Sequence, residues 1–209
     1  MKFKKELFLI LFFTILKLAI HLLTNTNYDL HRDEYLYIAM KDHPDLGFMT
    51  VPPFVAVIAK ISYFIFGHTV FGYRFFASLA GSLTVLIIGL SVTELGGKYW
   101  AIAISSTSYI ISGLYLHINF LLQPVTFDVL FWTLSFYLLL RLIKREELKL
   151  WILIGIVVGI GMQNKYSIVL LAAAIIFSLT LAGKWKLLST AASLQILPSC
   201  GWLFGHETT

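Results

Sequence analysis

The chain has 209 residues, 58% of them hydrophobic and 13% charged, with a mean hydropathy of +0.83. A water-soluble domain of this size has too little interior to bury that much apolar surface, so an ordinary soluble globule is excluded and a bilayer is the expected surroundings. The net charge of +5 comes from basic residues placed between greasy runs, which does not read as nucleic-acid binding, and the single cysteine, Cys200, excludes an internal disulfide or a thiolate metal cluster.

Taken in chain order, Lys2, Lys4 and Lys5 precede a first apolar run over 7–23. That run is longer than a signal-peptide core and ends in His21-Leu22-Leu23 with no small-x-small cleavage site, so it reads as an uncleaved span. Lys17 and His21 stand four residues apart within it, hence on one face, and a lysine there needs a partner or a path to the interface. Their spacing assigns them no role.

The stretch 25–71 is too long for a turn. Asp29 or His31 is placed to start a short helix through Met40, with Asp33 and Tyr37 one turn apart on one face. Pro52-Pro53 then introduces 54–66, with Pro53 suited to a first helical turn. About 14 residues reach only about 20 Å, so this run is predicted to lie in the membrane interface with Lys60 reaching toward headgroups. Further spans are predicted over 70–93, 99–116, 127–143, 150–163, 166–182 and 187–204, making seven with 150–163 the shortest. Ala77-Gly81 and Gly155-Gly159 have the small-residue spacing of close helix packing. The expected fold is all-α, a polytopic transmembrane helical bundle of about seven spans with interfacial helices in its first outer loop.

Charge sets the expected orientation. With the N-terminus inside, the inner loops hold ten of the sixteen basic residues: Lys2, Lys4, Lys5, Lys98, Arg141, Lys144, Arg145, Lys149, Lys184 and Lys186. The positive-inside rule then puts 31–45, Arg74, 117–128 and Asn164-Lys165 together on the outer side.

His31-Arg32-Asp33-Glu34-Tyr35-Leu36-Tyr37 is the densest polar cluster on that side. Adjacent residues on a helix point about 100° apart, so one acid is expected to face a cavity and the other a structural partner. Asp33 is the better functional candidate because Tyr37 flanks it. Asp128 lies just inside an apolar run, where an unpaired carboxylate costs a few kcal/mol, and such residues face the bundle interior. It reads either as an N-terminal helix acid after Pro124 or as a carboxylate for a polar substrate, a metal or the Asp33 helix. Lys165 and Arg74 each read as an interfacial cation or as a contact for an anion such as a phosphate. His117, His43 and Gln123 are candidates for positioning a substrate.

The residues 31–37, then Val51-Pro52-Pro53-Phe54, Gly72-Tyr73-Arg74-Phe75-Phe76-Ala77-Ser78-Leu79-Ala80-Gly81, Gln123-Pro124-Val125-Thr126-Phe127-Asp128 and Asn164-Lys165-Tyr166-Ser167 resemble, in order, the bacterial membrane glycosyltransferases grouped with protein O-mannosyltransferases and the lipid A aminoarabinose transferase. The resemblance runs from the first span to about Ala182. It implies a GT-C fold enzyme of the inner membrane that moves a sugar from a polyprenyl-phosphate donor to a glycan, lipid or protein acceptor on the outer face. It further implies Asp33 as base or acceptor-orienting residue, Glu34 as its structural or metal-binding neighbour, Asp128 as a second acid, Lys165 and Arg74 at the donor phosphate, and His31, Arg32, Tyr37 and Gln123 as positioning residues. It leaves a divalent metal open. Relatives of this kind usually have more spans and often a soluble outer domain, so residues 1–209 are expected to be one transferase-like domain cut short at its C-terminus. Two other readings stand beside this one: a transporter whose polar path uses Asp128, Lys165 and Asp33, and a non-catalytic membrane subunit.

Overall fold

The computed structural model describes residues 2–185 except 44, 46, 49 and 50. The described chain is all-helical: α1 (Lys2–Thr24), α2 (Arg32–Met40), α3 (Phe54–Phe66), α4 (Val70–Glu94), α5 (Tyr99–Ile111), α6 (Gly113–Ile118), α7 (Pro124–Arg145), α8 (Leu148–Met162) and α9 (Ile168–Leu181). Three of these, α1, α4 and α7, are long and apolar enough to cross a membrane, while α3, α8 and α9 are shorter apolar helices. The expected seventh span, 187–204, lies outside the described residues. The span expected over 99–116 is broken: Ser112 has extended backbone (φ −64°, ψ 116°), and the chain restarts as α6 at Gly113.

At 25 residues, or about 37 Å, α4 is the longest helix, and α1, α3, α5 and α7 all pack against it. Its small residues make this possible. Ala77 and Gly81 are buried, and a Cβ at Gly81 would stand 2.5 Å from the Asn119 side chain; near the other end a Cβ at Gly89 would stand 2.7 Å from Ile10. The stripe on α8 is different, because Gly159 has open space where a Cβ would be. On the far side of α4, α7 carries the main apolar core with α8 and α9, through Phe131, Leu138, Leu142, Leu150, Ile154, Leu171 and Ile175.

The connections divide the bundle into two ends. At one end Arg141 and Arg145 of α7 reach Glu94 at the close of α4. At the other, Phe54 N–H donates to Gln163 O, Asn164 Nδ2 donates to Pro124 O, and the α1–α2 connection meets the start of α4. Both ends of α3 belong to this second end: Phe54 packs on Phe127 and Phe131, and Phe66 on Phe71 and Phe75. The helix therefore lies across the bundle and does not traverse it. Its outward side carries Val57, Lys60, Ile61, Phe64 and Ile65, as an interfacial helix requires.

The glycine contrast gives a packing prediction. Gly81→Ala drives a methyl into Asn119 and should cost about 1–3 kcal/mol, whereas Gly159→Ala meets nothing and should be neutral or stabilising. Thermal unfolding in detergent checks both; equal effects would contradict the packing described.

Candidate active site

The polar end is built from α2 outward. His31 has extended backbone (φ −72°, ψ 152°), its Nδ1 accepts from Asp33 N–H at 3.3 Å, and the Glu34 carboxylate accepts from His31 N–H at 2.8 Å. This reciprocal capping box satisfies donors that the first helical turn leaves open and fixes where α2 begins. It also sets the two adjacent acids in opposite environments. Glu34 is 1% exposed, whereas the Asp33 side chain is 50% exposed.

Glu34 turns inward onto Arg74 of α4, which is itself fully buried. Arg74 Nη2 donates to Glu34 Oε2 at 2.7 Å and Nε to Oε1 at 3.0 Å. The remaining donors go to main-chain oxygens: Nη1 to Asn25 at 2.6 Å and Tyr28 at 2.9 Å, and Nη2 to Asp29 at 2.7 Å. All five guanidinium N–H groups thus have acceptors. The Phe120 ring covers the guanidinium, with its centroid 4.4 Å from Cζ. Glu34 Oε1 also accepts from Leu122 N–H at 3.0 Å, which ties in the chain leading to α7. Arg74, expected at the donor phosphate, has no N–H left to offer one in this arrangement; its place is inside, holding three segments together.

Two cavities open beside α2. One, of about 410 Å³, is lined by Tyr37, Val51, Pro52, Gln123, Lys165 and Ser167 among others. It gathers the residues that the sequence places far apart. Lys165 is half-buried and, among the described residues, forms no ion pair or hydrogen bond through its ammonium. Behind it Ser167 Oγ donates to the Asp128 carboxylate, 3.0 Å from either oxygen, so Asp128 anchors the turn that carries Lys165. Gln123 Nε2 donates to Ile118 O at 3.3 Å. Burial, and then the charge of Asp33, holds the Tyr37 phenol above its ordinary pKa, so it stays protonated and able to donate. The other cavity, of about 530 Å³, is lined by Tyr28, Leu30, His31, Arg32, His117 and Phe120 among others. Asp33 is not itself among the residues that line either cavity; it lies one turn from Tyr37 of the first and beside His31 and Arg32 of the other, whose Nδ1 and Nε lie 3.8 and 3.5 Å from its oxygens.

Among the described residues no three His, Cys, Asp or Glu side chains gather where they could hold a metal ion. Glu34, the acid the resemblance offers for that purpose, has both oxygens engaged by Arg74, Leu122 and His31. His43 is exposed beyond the end of α2 and joins neither cavity.

Residues 50–200 match the family model of the dolichyl-phosphate-mannose-protein mannosyltransferases. The chain belongs to this family. It is therefore a membrane glycosyltransferase of the GT-C type, with multiple membrane-spanning helices. Arg74, Gln123, Asp128 and Lys165 fall within the matched residues, whereas α1 and the 31–37 cluster precede them. No curated protein and no solved structure gives a significant match.

Several contributors were invisible in the sequence of this mannosyltransferase-family chain. Three of the acceptors of Arg74 are main-chain oxygens, those of Asn25, Tyr28 and Asp29, which leave no trace in residue type. Ser167 lay inside the Asn164-Lys165-Tyr166-Ser167 motif but carries no signal of its own for Asp128. Lys41 is also buried: its Nζ pairs with Asp42 at 2.7 Å and lies 4.8 Å from the Tyr63 ring centroid, pinning the end of α2 to α3.

Removing either Glu34 or Arg74 strands the other in the interior, so Glu34→Ala and Arg74→Ala should each cost about 3–5 kcal/mol. The double variant should lose much less than the sum. Unfolding in detergent measures all three, and simple additivity would show that the pair does not act as a unit.

Proposed function

We propose that this chain transfers a sugar from a polyprenyl-phosphate donor to an acceptor hydroxyl, with Asp33 as the base. The reaction is read at the outer face of the inner membrane, with the N-terminus cytoplasmic, as the distribution of basic residues favours. The observation that carries the proposal is that Lys165 lines one cavity together with Tyr37, which stands one turn along α2 from Asp33. The cavity lies at the end of the bundle where α3 presents an apolar outward face, the level at which a lipid-linked phosphate would arrive.

In this reading Lys165 compensates the donor phosphate and stabilises the negative charge that grows on it as the bond from the anomeric carbon to the phosphate oxygen breaks. The acceptor oxygen attacks that carbon from the opposite side, its proton passes to the Asp33 carboxylate, and polyprenyl phosphate leaves. One in-line displacement of this kind inverts the anomeric centre. His31 and Arg32 orient Asp33, Tyr37 and Gln123 offer hydrogen bonds to the sugar, and Asp128 acts through Ser167 on the turn that presents Lys165. Glu34 and Arg74 are positioning residues. The acceptor is a hydroxyl on a glycan, a lipid or a protein.

Asp33→Asn is nearly isosteric and sits on a half-exposed site, so the protein should insert and fold while transfer falls by about 10²–10⁴-fold. Retained transfer in a purified complete enzyme would remove Asp33 from the mechanism. Lys165→Ala should lower kcat and raise the donor KM at unchanged acceptor KM; an effect confined to the acceptor would relocate the phosphate.

A further inference from the structure

The reading above makes no use of a second polar feature on the inward face of α1. Lys17, His21 and Asn25 recur every fourth residue and are 0%, 2% and 0% exposed. They form a seam about 12 Å long at 1.5 Å per residue. Lys17 Nζ reaches the Tyr115 main-chain oxygen at 3.4 Å and lies 5.3 Å from the centroid of Tyr109, whose ring stacks on Tyr115. Among the described residues it pairs with no carboxylate. His21 Nδ1 and Nε2, Asn25 Nδ2 and Oδ1, and Asn119 Oδ1 are all buried with no hydrogen-bond partner among the described residues. Asn119 belongs to the same neighbourhood, since its Nδ2 donates to the Tyr109 hydroxyl at 3.1 Å.

The chemistry of these atoms limits what can satisfy them. A neutral imidazole needs one donor and one acceptor, the Asn25 amide needs both, Asn119 Oδ1 needs a donor, and the Lys17 ammonium has protons to give. A simple anion would serve only the donors, and a metal cation only the acceptors. The occupant has to do both, and water does.

We propose that the α1 seam is an internal water site, in which a short chain of bound waters joins Lys17, His21, Asn25 and Asn119 and solvates the lysine inside the bundle. Buried waters usually make about three hydrogen bonds each to such otherwise unmet groups. The chain ends beneath the Glu34–Arg74 pair, because the Asn25 main-chain oxygen accepts from Arg74 Nη1. A hydrated seam there solvates a membrane-helix lysine that has no carboxylate partner among the described residues, and this inference stands or falls apart from the transferase reading.

Radiolytic hydroxyl-radical labelling of the full chain in lipid nanodiscs, read by mass spectrometry, tests it, because side chains touching bound water oxidise far faster than dry ones. With rates normalised for intrinsic reactivity, His21 and Tyr109 are expected to label several-fold faster than Phe131 and Leu138, which are comparably buried in the apolar core. Rates for His21 and Tyr109 no higher than those of the core residues would overturn the proposal. A His21→Leu, Asn25→Leu variant removes four of the unmet atoms and should depress Tyr109 labelling with Phe131 unchanged; undiminished labelling would also count against it. Should that variant fail to fold, the comparison within the unmodified chain decides alone.

Discussion

A guanidinium taken out of water is tolerated only if every N–H finds an acceptor, and this requirement at Arg74 organises the polar end of the bundle. Its five donors draw in the Asn25, Tyr28 and Asp29 main chain, and the Glu34 carboxylate. Through Glu34 they also reach Leu122, just before α7. A loop, a short helix and the lead into a long helix are thus referred to one point on α4. An isolated charge buried there would cost several kcal/mol, so alternative placements of the loop are penalised heavily.

The consequence for the site is a division of labour between neighbouring acids. Because Glu34 must point at Arg74, helical geometry turns Asp33 about 100° away and out of the interior, where its side chain is half-exposed. The inward acid is held by a permanent partner; the outward one is half-exposed and flanked by His31 and Arg32, which leaves it free for the role proposed for it. A similar arrangement recurs across the second cavity, where Asp128 is engaged by Ser167 and leaves Lys165 as the outward group. In both pairs one polar residue fixes the backbone that presents the other.

Much of this was legible in the residue order, because the strongest signals are those the bilayer enforces. Long apolar runs gave α1, α4 and α7, Pro53 marked the start of α3, and the start of α2 was narrowed to Asp29 or His31, of which the structure makes His31 the cap. The alternation of basic and acidic connections already grouped 31–37, 117–128 and Asn164-Lys165 at one end. What was not legible depends on three-dimensional closure. The break at Ser112 falls on a Ser-Gly step, a turn-type dipeptide that the apolar residues on either side outweigh in the reading of 99–116 as one span. Arg74 looked like a cation available to a phosphate because nothing in its type reveals that main-chain oxygens surround it. Lys17 and His21 were visible as a spacing, but the addition of Asn25 to their seam and its isolation from any described carboxylate emerged only when Tyr109 of α5 and Tyr115 of α6 were seen against it.

The central claim is that the cavity between α2, the start of α7 and the α8–α9 connection receives the phosphate end of a lipid-linked sugar. Photo-crosslinking with a polyprenyl-phosphate analogue bearing the reactive group beside the phosphate addresses it directly, with the adducts mapped by peptide sequencing. The account predicts adducts concentrated on residues 163–167 and at Tyr37, suppressed by excess unlabelled polyprenyl phosphate. Competable adducts on the Glu94 and Arg141 end of the bundle, or labelling that competitor does not reduce, would contradict it.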